Sequence, residues 1–118
     1  MSEVDDYIAA IENAEHRHVV EQAREIALLL SPEGIESISY GMPVIKEDGH
    51  AIFGYAPNKN HLGFYPHSGN VVPVILQQYA DLKGTSGALH VPYDDSRLPI
   101  LIGVVIELRR EEIVQRGR

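Results

Sequence analysis

The chain has 118 residues, 44% of them hydrophobic, and a formal charge of −7 from 10 Lys and Arg against 17 Asp and Glu. That length and composition suit one folded domain over residues 1–118. Cysteine is absent, which excludes disulfides, thiolate nucleophiles and cysteine metal sites. The acidic balance repels phosphate backbones and anionic lipid, so neither nucleic acid nor a membrane is an expected partner.

Ser2 is placed to cap a first helix, with Glu3, Asp5 and Asp6 in a first turn that complements the helix dipole. Val4, Tyr7, Ile8 and Ile11 share the spacing of one buried face. The chain turns near Asn13, and a second helix is expected from about Ala14 to Leu30, with Val20, Ala23, Ala27 and Leu30 as its apolar stripe. Arg17 with Glu21, and Glu21 with Arg24, are spaced to pair on its wet side. Ser31-Pro32-Glu33-Gly34 ends it.

The middle reads as β-structure. Glu36 to Tyr40 alternates, and Gly41-Met42-Pro43 breaks the strand. Val44–Glu47 and His50–Ala56 flank Asp48-Gly49, a two-residue hairpin signal. Ala51 to Ala56 is apolar on both faces and suits a central strand. His61 to Tyr65 then places Leu62 and Phe64 on one face, with His61, Gly63 and Tyr65 on the other. A third helix is expected over Val71 to Ala80, capped by Asn70, with Pro73 in its first turn. Lys83 to Gly87 reads as a flexible loop, Ala88 to Val91 as a short strand, and Ser96 or Leu98 as the start of the last helix. That helix is apolar nearly all round to Leu108, so it is either deeply buried or shared with a second copy in a homodimer. The pattern predicts a two-layer α+β domain in the order α-α-β-β-β-(β)-α-β-α. An antiparallel sheet of about four or five strands has helices on one face.

No catalytic motif with a known mechanism occurs, which points to a non-enzymatic protein. His61, His67 and His90 lie on strands or loops; a metal would need two or three of them to converge with a carboxylate, and the plainer reading is structural. The acids Glu3, Asp5 and Asp6 offer oxygen ligands for a hard cation, against the plainer reading of a solvated helix face. Lys83 beside Gly84 can cradle an anion, or simply belong to a connector. Tyr40, Met42, Lys59, His61 and Tyr65 surround turns and would form a small-ligand pocket if the strands bring them together.

Three segments together resemble the YdhG-like bacterial domain family. They are Ile38-Ser39-Tyr40-Gly41-Met42-Pro43, Lys59-Asn60-His61-Leu62-Gly63-Phe64-Tyr65-Pro66, and the Gly84 to Pro92 stretch leading into Leu98-Pro99-Ile100. The opening Val4-Asp5-Asp6-Tyr7-Ile8 extends the resemblance to nearly the whole chain. Val44-Ile45 is aliphatic where the family carries an aromatic nearby, and Ser86 to Pro92 lacks the family's aromatic. Most members have no known function, and some are described as frataxin-like intracellular iron chaperones. The resemblance therefore implies a cytoplasmic carrier of iron, held by acids that map onto Glu3, Asp5 and Asp6 and handed to a protein partner. A cytoplasmic setting also fits an N-terminus without the positive and apolar regions of a signal peptide. The longest apolar run, Leu98 to Ile106, is too short for a membrane span.

Overall fold

The computed structural model describes residues 2–116. Its elements run α1 (Glu3–Ala9), α2 (Ala14–Leu30), β1 (Ile35–Ser39), β2 (Met42–Glu47), β3 (His50–Pro57), β4 (Leu62–Tyr65), α3 (Val71–Gln78), β5 (Lys83–Gly84), β6 (Leu89–Val91) and α4 (Leu98–Arg116). The strands form one six-stranded antiparallel sheet in the order β1-β2-β3-β4-β6-β5. The expected α+β class and antiparallel sheet are present, with one strand more than the sequence suggested. The addition is β5, whose two residues pair with β6 and turn the expected loop into a hairpin. Two residues are too few to carry an alternating pattern.

Local chemistry explains the helix starts. Ser2 Oγ accepts from the Asp5 N–H at 3.1 Å, and Asp5 Oδ2 accepts from the Ser2 N–H at 2.9 Å, a reciprocal capping box. Asn13 accepts from the His16 N–H and opens α2. The Asn70 cap does not form: its backbone is already helical, with φ −105° and ψ −17°, and its side-chain NH2 donates to Glu112 on α4 at 2.9 Å. The expected pairs of Arg17 and Arg24 with Glu21 are also absent. Arg17 donates to the Ile11 carbonyl, while Arg24 grips Glu36 through Nε and Nη2 at 2.9 and 2.8 Å and Asp5 through Nη1 at 2.6 Å. A forked guanidinium gains more from a bidentate carboxylate than from a single neighbour along its own helix.

Two tight turns set the register of the first three strands. Asp48 and Gly49 have φ of 50° and 80°, as a two-residue hairpin requires. Tyr40 and Gly41 do the same with φ of 54° and 73°, so the break lies one step before the expected one and Met42 and Pro43 belong to β2. In such a hairpin Ser39 and Met42 form the hydrogen-bonded pair that closes the turn. Pro43, opposite Ile38, then falls at a position that needs no N–H toward β1.

One side of the sheet packs against the helices. Ile45, Phe53, Tyr55, Leu62, Phe64, Leu89 and Val91 share a buried cluster with Val4, Ile8, Val20, Ala23 and Ala27. The same cluster takes Leu101, Ile102, Val105 and Ile106 of α4, so that helix is deeply buried within its own chain. Burial inside the chain accounts for the apolar first half of α4, while Ile100 and Val114 stay exposed. Among the described residues no helix is long and apolar enough to cross a membrane.

Candidate functional site

The opposite face of the sheet has no helix over it, and the polar residues singled out above gather there. Register does the placing. The pairs Val44↔Gly54↔Tyr65 and Ala56↔Gly63↔His90↔Lys83 run across β2 to β5 on this side. Side chains two apart on a strand share a face, so Met42 joins Val44, and His61 precedes Gly63 and Tyr65 on the same side. Val44 is buried yet stands outside the main core, as a residue of this second face should.

Two glycines lower the middle of the face. A Cβ on Gly63 would lie 2.8 Å from both Cε1 and Oη of Tyr65, so the Tyr65 ring and its hydroxyl lie over Gly63. A Cβ on Gly54 would lie 2.8 Å from His67 Cε1 and 3.1 Å from Met42 Sδ. Those two side chains therefore fill the space above Gly54. His67 reaches it from a left-handed backbone, φ 61°, with Nδ1 3.0 Å from the Tyr65 carbonyl oxygen. Tyr40, 86% exposed on its turn, places its ring 5.8 Å from the His67 ring. Tyr40, Met42, Tyr65 and His67 line a shallow pocket of about 440 Å³.

At the other end His61 and His90 stack, with ring centroids 4.0 Å apart and planes within 21°. They line a second pocket of about 360 Å³ with Asn60, Asp81, Leu82, Lys83 and Pro92. Burial lowers the pKa of His61, and the neighbouring His90 lowers it further. Burial also lowers that of His67, assisted by the charges of Arg109 and Lys46 and opposed by the Tyr65 carbonyl. An imidazole resists protonation when the proton must enter a desolvated, already positive site.

The same fold is found in the crystal structure of a protein from the DUF1801 family, YdhG, from Bacillus subtilis. The two superpose with a TM-score of 0.83 at 20% identity, covering 92% of this chain and 88% of that one. The chain has the fold of YdhG. No family model and no curated protein sequence matches it.

On this YdhG fold, Tyr40, Met42 and Tyr65 come together in one pocket and His61 and Lys83 in the next. Lys59 stays exposed in the β3–β4 turn and lines neither. His67 and His90, two histidines near aromatic residues, complete the pockets. The equal parity of His61, Gly63 and Tyr65 was the signal on β4, whereas no spacing in the sequence links His90 to them.

The acids of α1 lie elsewhere. Asp5 is engaged by its capping box and by Arg24, and these partners hold its pKa down to about 2, the Ser2 N–H contributing most. Glu3 and Asp6 are exposed on the same helix. Among the described residues no three His, Asp or Glu side chains group closely enough to hold a metal ion.

Proposed function

We propose that this chain is a non-enzymatic binding module whose ligand surface is the uncovered face of its sheet. The observation that carries this reading is the ordering of rings over glycine on that face. Tyr65 lies over Gly63 and His67 over Gly54, and both rings line the pocket beside Tyr40 and Met42. Rings on a rigid sheet bind flat molecules with little loss of conformational freedom. The fold shared with YdhG, together with the Tyr40–Pro43 and Lys59–Pro66 runs, supports a place in the same family.

A thermal-shift screen of small polar and aromatic compounds tests the reading, since a ligand of the folded state alone raises the melting temperature. Hits should lose their effect in Tyr65→Ala and His61→Ala. Hits that keep it in both variants place the ligand surface elsewhere.

The iron-carrier role implied by the family resemblance would use Glu3 and Asp6, since Asp5 already holds an arginine. Anaerobic titration with ferrous iron separates the two readings. Binding tighter than millimolar that is lost on Glu3→Gln with Asp6→Asn supports the carrier role, and its absence removes that role. A homodimer through α4 would rest on the exposed Ile100 and Val114.

A further inference from the structure

We infer that the ligand of the uncovered face is a planar aromatic anion, a single ring bearing one carboxylate- or phosphate-like group. The inference rests on the binding-module reading and adds the chemistry of the ligand. It follows from where the charges lie. The chain is acidic overall, at −7, yet no strand residue directed to this face is Asp or Glu. The two strand carboxylates, Glu36 and Glu47, turn to the helix side and are held by Arg24 and Arg110.

The cations are distributed the opposite way. The chain has three lysines. Lys46 and Lys83 stand on the uncovered face, and Lys59 sits in the turn that leads into it. None of the three forms an ion pair among the described residues, whereas Arg24, Arg97, Arg109, Arg110 and Arg116 all do. The one acid at the rim of the His61 pocket, Asp81, is held by two hydrogen bonds from Arg97 at 3.1 and 2.6 Å. An acidic protein thus presents one face whose fixed charges are unpaired ammonium groups.

The shape selects the rest of the ligand. Gly63, under the Tyr65 ring, is directly opposite His90, and His90 is directly opposite Lys83. The Tyr65 ring over Gly63, His90 and Lys83 therefore fall in one row across β4, β6 and β5, with Tyr65 lining one pocket and His90 and Lys83 the next. The His61–His90–Lys83 pocket, about 360 Å³, is at the small end of the range for ligand sites and suits one ring.

The test is a titration of the 15N-labelled chain with benzoate and phenyl phosphate, and with benzamide as the neutral match of benzoate. The anions should move the amide signals of His61, Gly63, Tyr65, Lys83 and His90 saturably, with dissociation constants on the order of 1 mM for probes of this size. Benzamide should bind about tenfold more weakly, and Lys83→Gln should weaken the anions about tenfold, since each removes one charge-assisted contact. Gly63→Ala, which pushes Tyr65 aside without changing charge, should weaken all three probes alike. If benzamide matches benzoate on this face, or Lys83→Gln changes nothing, the anion assignment is overturned and the binding-module reading stands. Shifts from every probe that map away from the face overturn both. A short thymidine oligonucleotide that binds the same face more tightly than phenyl phosphate overturns the small-molecule assignment in favour of single-stranded nucleic acid.

Discussion

Replacing Arg24 by Met tests the account of how α1, α2 and β1 are held together. Arg24 lies on α2 and joins Asp5 of α1 to Glu36 of β1, with side-chain exposures of 23% for Arg24 and 18% for Glu36. Methionine keeps the aliphatic stem but leaves Glu36 without its bidentate partner in a mostly desolvated place. Breaking one partner from a buried pair costs about 3 kcal/mol, because the remaining charge loses its compensation. For a domain of this size that corresponds to a fall of roughly 10 °C in melting temperature. The double variant Arg24→Met with Glu36→Gln should recover a large part of the loss, since no uncompensated charge remains. Differential scanning calorimetry at neutral pH measures both. A single variant that melts within about 3 °C of the parent, or a double variant no better than the single, would refute the claim that Glu36 depends on Arg24.

Gly34→Ala should destabilise the chain by about 2 kcal/mol, read by urea unfolding. Its Cβ would come within 2.5 Å of both Ile45 Cγ2 and Ser31 Oγ, which are buried and have no room to retreat. Gly63→Ala should be milder, at about 1 kcal/mol, because the atoms it meets are the far end of Tyr65, which can swing outward. A new solvent accessibility of the Tyr65 ring in NMR would confirm that movement. Stability should also fall as the pH drops below about 6.5. His61 and His67 titrate below 6.5 when folded, so the unfolded chain binds protons that the folded chain resists. Their contribution is complete above about 6.5 and is lost as the pH drops through the depressed folded values. Melting curves of His61→Asn with His67→Asn should show a flatter profile over that range; an unchanged slope would assign the effect to other groups.

The first two helices were legible because each carries its own boundary chemistry. Asn13 and the period of Val20, Ala23 and Ala27 define α2 without help from the rest of the fold. The Asp48-Gly49 turn was legible for the same reason, since both residue types accept a left-handed backbone. Tyr40 was not, because a tyrosine at positive φ contradicts local preference and is held there by the pairing of β1 with β2. The site was half legible. Strand parity put His61 and Tyr65 on one side of β4. Joining them to His90 and Lys83 needs a register that forms only after the chain has passed through α3 and returned.

The sheet's order also bears on how the molecule assembles. Strands β1 to β4 are neighbours both along the chain and in space, and two of their three connections are only two residues long. Closing such short loops takes little entropy, so this meander can form early in refolding. The β5–β6 hairpin must instead return to β4 from beyond α3, and α4 must then close over the result. Substitutions at the Asp48-Gly49 turn should therefore slow refolding, while those in β6 should chiefly speed unfolding.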